Sequence, residues 1–107
     1  MAERKEREGG VEVEVDTRVR PRIEEPPRLK VILHNDHYTT QDFVIFVLQD
    51  LFHHDSGQAF RLMLQVHTEG LCVAGIYPAE IAEAKAERVC ELAREQEYPF
   101  LATTEPE

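Results

Sequence analysis

Apart from an alternating run at 11–15, apolar residues are sparse before position 28 and fall into regular patterns after it. Leu29-Lys30-Val31-Ile32-Leu33 is a β-prone run that stops at Asn35-Asp36, a turn-favouring pair, so the first strand is expected there. Phe43, Val44, Val47, Leu48, Leu51 and Phe52 then share one helical face, and Thr39 stands three residues before Asp42 in the spacing of a capping box. A second helix is expected from Asp55, a cap residue with Gln58 three positions on, through Ala59, Leu62, Met63 and Val66 to a stop at Gly70. Leu71–Tyr77 reads as a buried strand, and Pro78 suits the first turn of a third helix whose buried stripe is Ile81, Ala82, Val89, Leu92 and Ala93. The segment 99–104 is short and β-prone, with Pro99 marking an edge strand or a strand's first residue.

This order, β-α-α-β-α-β, cannot bury its apolar faces element by element. The expected fold is therefore α+β: a small three-stranded, mainly antiparallel sheet with three helices packed on one side. Residues 1–27 carry eight acidic and six basic side chains, a Gly9-Gly10 pair and three prolines, and are expected to form a flexible tail ahead of a core domain at 28–107. Within that tail Val11-Glu12-Val13-Glu14-Val15 alternates with period 2, so a short strand is the competing expectation.

Composition narrows the function. At 107 residues and 42% hydrophobic content the chain has the makings of one modest core. A net charge of −9 with no basic cluster argues against nucleic acid as a partner. No apolar run reaches the roughly 20 residues that span a bilayer, and the polar start lacks a signal-peptide core, so a cytoplasmic protein with no membrane partner is expected. Cys72 and Cys90 form no CxxC pair, and both are expected to be reduced and packed inside.

Asn35, Asp36 and His37 sit between the first strand and a helix start, where a rigid scaffold can aim side chains, although turn formation alone would explain them. The blocks Lys30–Thr39, Phe43-Val44 and Leu62-Met63-Leu64-Gln65-Val66-His67 together resemble the signature of the ClpS adaptors. The likeness continues through Gly75-Ile76-Tyr77, Ala79–Lys85 and Pro99-Phe100-Leu101, covering roughly residues 28–104.

That resemblance implies a non-enzymatic adaptor with no cofactor and no metal. Such an adaptor holds proteins by a bulky hydrophobic first residue with a free α-amino group, an N-degron, and delivers them to the N-terminal domain of a ClpA-type unfoldase of the Clp protease. It implies that Asn35, Asp36 and His67 bind the α-amino group, that Thr39, Gln41, Val44, Met63, Val66 and Phe100 shape the side-chain pocket, and that Glu80 and Lys85 dock the unfoldase; a monomer is expected. The chemistry is consistent: an ammonium group presents three donors, and an Asn carbonyl, an Asp carboxylate and a neutral imidazole nitrogen are three acceptors. His37, Thr40 and Gln41 depart from the family pattern of a second acid, Pro and Met, and Gln41 brings a polar amide to the pocket border.

Two other classes remain open at this stage. His34, Asp36, His37 and His67 are metal-ligand types and would serve a metal enzyme if they converged. The fold also resembles the C-terminal domain of a ribosomal stalk protein, which leaves an interaction module indifferent to a free amino terminus.

Overall fold

The first apolar run becomes the middle strand of a sheet. The protein, seen here as a computed structural model that describes residues 26–107, contains β1 (Arg28–His34), α1 (Gln41–Asp50), α2 (Ser56–Glu69), β2 (Leu71–Pro78), α3 (Ala79–Glu95) and β3 (Leu101–Pro106). The segment expected as a tail lies outside the described residues except for Pro26 and Pro27, and the alternating run at 11–15 lies wholly outside them. β1 pairs antiparallel with both neighbours in the order β2-β1-β3, so both of its backbone edges are satisfied and Val31 and Leu33 are completely buried. The register against β2 shifts between Val31 and Ile32, where Ala74 is the extra residue.

The helices cover one face of this sheet, as expected of the α+β class. β2 departs from the expected buried strand, because its burial alternates: Cys72 and Ala74 face the helices, while Leu71, Val73 and Ile76 are exposed on the open face. An edge strand of a sheet covered on one side buries every second residue, whatever the hydrophobicity of the others.

Caps and helix rotation account for the remaining differences. α2 starts and stops as expected: the Asp55 carboxylate accepts from the Gln58 N–H at 2.8 Å, and Gly70 ends the helix at φ 93° with its N–H on the Val66 carbonyl. α1 is capped one residue later than expected, because Thr40, not Thr39, accepts from the Phe43 N–H. Thr39 is already engaged by Asp36. Leu51 ends α1 and is only half-buried, whereas Phe52, past the helix, is buried.

In α3 the buried stripe is Ala82, Ala86, Val89 and Ala93, so small side chains let the helix lie close on the sheet. Ile81 is turned out to 47% exposure and Leu92 sits at the margin of the core, contrary to expectation. Pro78 occupies the cap position without a side-chain cap, and the Ala79 N–H is satisfied instead by the Pro27 carbonyl. Cys72 and Cys90 are both free thiols. Cys72 is fully buried and its thiol is pushed up to about 11 by desolvation, but Cys90 is only half-buried, short of the interior placement expected of it.

Candidate functional site

The site is built where the β1–α1 loop crosses the end of the helical hairpin. Asn35 follows β1 directly and its N–H donates to the Gly70 carbonyl at 2.9 Å, tying the loop to the C-terminal cap of α2 three residues beyond His67. Asp36 shapes the loop from within. Its Oδ1 accepts from the N–H groups of Tyr38 and Thr39, each at 2.7 Å, and its Oδ2 accepts from the Thr39 hydroxyl at 2.6 Å. Burial raises the carboxyl's pKa. The hydrogen bonds from the Thr39 hydroxyl, the Thr39 N–H and the Tyr38 N–H, with the nearby charge of His37, outweigh burial and hold it below its ordinary value.

These elements enclose a cavity of about 180 Å³ lined by Asn35, Asp36, His37, Thr39, Gln41, Val44, Met63, Val66 and His67. Val44, Met63 and Val66 are almost fully buried and belong to the core, whereas Asn35, His37, Gln41 and His67 are exposed. The cavity therefore has an apolar floor and a rim of hydrogen-bonding groups carrying one carboxylate.

Every residue assigned to the site from the sequence lines this cavity except Phe100. Phe100 is not at the pocket's edge but in the core, with its ring edge-on to Phe43 at 6.0 Å between centroids. The β-prone segment begins its strand at Leu101, which leaves Phe100 pointing under α1. His37 is the lining residue that sequence reasoning left outside the site; its position next to Asp36 was the available signal.

Of the metal-ligand types singled out in the sequence, Asp36, His37 and His67 line the cavity and His34 does not. His34 is hydrogen-bonded to the Thr103 hydroxyl at 2.7 Å, and His54 donates from Nε2 to the Ala74 carbonyl at 2.7 Å, so each is engaged away from the cavity. Among the described residues no group of three or more His, Cys, Asp or Glu side chains stands close enough to hold a metal ion. Among the same residues no helix is long and apolar enough to cross a membrane.

A second, shallow hollow of about 400 Å³ lies on α3, lined by Leu51, Glu80, Ile81, Ala84, Lys85 and Arg88. Glu80 is exposed there, but Lys85 is half-buried and partly committed. Its Nζ donates to the Leu51 carbonyl at the end of α1 at 2.7 Å and lies 5.7 Å and 5.2 Å from the ring centres of Phe52 and Tyr77.

Residues 24–103 match the family model described as ATP-dependent Clp protease adaptor protein ClpS. The chain belongs to the ClpS family. The "ATP-dependent Clp protease adapter protein ClpS" of Sodalis glossinidius is 49% identical over 84% of this chain and 85% of the relative. The ClpS of Ruegeria sp. is 45% identical over 83% and 79%. The ClpS of Phenylobacterium zucineum is 39% identical over 98% of both chains, so that likeness extends beyond the described residues. Among solved structures, Agrobacterium tumefaciens ClpS2 bound to L-phenylalaninamide superposes with a TM-score of 0.74 at 37% identity, covering 78% of this chain and all of that one. The ClpS relatives are thus named as protease adapters, and one of them was solved with an amino-acid amide.

Proposed function

We propose that the cavity holds the first residue of a protein chain by its free α-amino group and a bulky hydrophobic side chain, and that the protein hands such chains to a ClpA-type unfoldase. The observation that carries this reading is one cavity with acceptors at its rim, Asn35, Asp36 and His67, over an apolar floor of Val44, Met63 and Val66. The ligand of the Agrobacterium relative, L-phenylalaninamide, pairs an α-amino group with an aromatic side chain, which is the same combination.

Three acceptor positions of Asp36 are taken by its own loop, so its contribution at the rim is chiefly negative charge, while the Asn35 carbonyl and a ring nitrogen of His67 accept directly. An acetylated terminus has no charge to meet that carboxylate and only one N–H donor, so it is rejected without any chemistry being done. Burial of a Leu or Phe side chain gives about 1.5–3 kcal/mol and each charge-assisted hydrogen bond about 1.5–3, before ordering costs, which places binding near the micromolar range. Thr39 and Gln41 complete the wall, and the Gln41 amide, polar where the floor is apolar, narrows or shifts the choice of first residue.

The unfoldase's N-terminal domain would dock on the α3 hollow at Glu80 and Lys85, with residues 1–27 assisting hand-over and the protein acting as a monomer in the cytoplasm. The Lys85 ammonium is partly engaged within the chain and Arg88 pairs with Glu91 at 3.2 Å, which leaves the exposed Glu80 as the less engaged charge at the hollow. The test is fluorescence anisotropy of labelled peptides beginning with Leu, Phe, Tyr or Trp, each beside its N-acetylated form. Binding of the free termini at about micromolar concentrations with acetylated peptides silent supports the reading; equal binding of both forms defeats it in favour of an interaction module indifferent to the amino group.

A further inference from the structure

A chain whose first residue fills the cavity must leave it across the surrounding surface, and on one side that surface is apolar. Phe60, Leu64 and His67 follow each other along α2 at intervals of four and three, which places them on one helical stripe beside the buried residues Ala59, Met63 and Val66. His67 lines the cavity, while Leu64 is 39% and Phe60 51% exposed, although each is large and apolar. Across the hairpin Gln41 also lines the cavity, and Ile45, four residues on, is half-buried against the core. From His67 at the cavity rim, the exposed Leu64 and Phe60 thus continue as an apolar stripe along α2.

Spacing says which part of a bound chain would meet this stripe. Three helical residues, about 4.5 Å of rise, separate His67 from Leu64, and seven, about 10.5 Å, separate it from Phe60. An extended peptide advances about 3.3 Å per residue and turns alternate side chains to the same side, so its first and third side chains point the same way about 7 Å apart. With the first side chain in the cavity, the third falls between Leu64 and Phe60, and the second points away.

Resting on the proposed recognition of a free first residue, we propose that Leu64 and Phe60 bind the third residue of the substrate, so that this protein favours chains with a bulky first and an apolar third residue. The test is anisotropy with three labelled peptides that share a free N-terminal Leu, followed by Ser-Ser, Leu-Ser or Ser-Leu, and with their N-acetylated forms. The protein is compared with its Leu64→Ser and Phe60→Ser variants, whose exposed positions leave the thermal midpoint nearly unchanged.

The expected result is about fivefold tighter binding of the peptide with Leu third, no comparable gain with Leu second, and loss of that gain in the variants while the Ser-Ser peptide binds as before. Equal affinities for the three free peptides overturn the stripe's role, as does a third-residue gain that persists in both variants. Free and acetylated peptides binding alike overturn the amino-group reading and this inference with it. Discrimination against acetylated peptides without a third-residue gain overturns the stripe's role alone.

Discussion

Asp36 both shapes its loop, through Tyr38 and Thr39, and places a carboxylate at the cavity rim, so one substitution separates the two roles. Asp36→Asn keeps the size and an acceptor oxygen but removes the charge; we expect at least a tenfold loss of affinity for free-amine peptides by anisotropy, with the fold retained. Its pKa, lowered in the folded protein, sets the sign of a pH effect. A carboxyl whose folded pKa lies below its unfolded value contributes stability that is fully present above the unfolded value, about 4, and is lost as pH falls through the folded one. The difference in urea midpoint between the protein and Asp36→Asn should therefore stay constant from pH 7 to about 5 and shrink below about pH 4. A constant difference down to pH 3 would mean that the loop does not depend on the charge.

At the scale of elements, the end of α2 holds the cavity and the end of α1 is tied to α3. Gly70 takes φ 93° with no atom within 4 Å of where a Cβ would stand, so Gly70→Ala is penalised by backbone conformation and not by collision. A loss of about 1 kcal/mol is expected, a fall of roughly 4–8 °C in thermal midpoint. Because Gly70 also carries the carbonyl that binds Asn35, peptide affinity should fall with it. Lys85 closes the end of α1, so Lys85→Met should cost about 1–2 kcal/mol in urea unfolding through loss of the bond to Leu51 and the contact with Phe52 and Tyr77. Glu80→Ala, with no such role, should stay within about 0.5 kcal/mol. If the two variants are equally stable, Lys85 is a surface charge and no clamp.

Over the whole molecule, the proposed function puts binding and delivery in different parts of the chain. All cavity residues lie between Asn35 and His67, within the α+β core, and the α3 hollow is separately placed. Removing residues 1–20 should leave peptide affinity unchanged and abolish the acceleration of substrate degradation by a ClpA-type unfoldase and its protease. Peptide anisotropy and a degradation time course on the same preparation check both halves of this expectation, and an unchanged degradation rate would remove the segment from hand-over.

The amino-acid pattern by itself determined the order of elements, the cap at Asp55 and the stop at Gly70, and the resemblance to ClpS adaptors supplied nearly the whole lining of the cavity. Strand and helix periods and local cap chemistry are carried by neighbouring residues, and the family signature spans both halves of the site. What only the tertiary structure decided depends on segments meeting that are far apart in sequence. Thr39 reads as a helix cap until the Asp36 side chain claims it, and Thr40 caps instead. A period of 3.6 groups Ile81 with Ala82 and Leu92 on one broad stripe, but the close approach of α3 to the sheet selects the alanines and turns Ile81 outward. Phe100 passes from pocket wall to core, and the Lys85 ammonium is drawn onto the Leu51 carbonyl, for the same reason. Periodicity states which residues share a face, and only the packing of one element on another states which face is covered and how tightly.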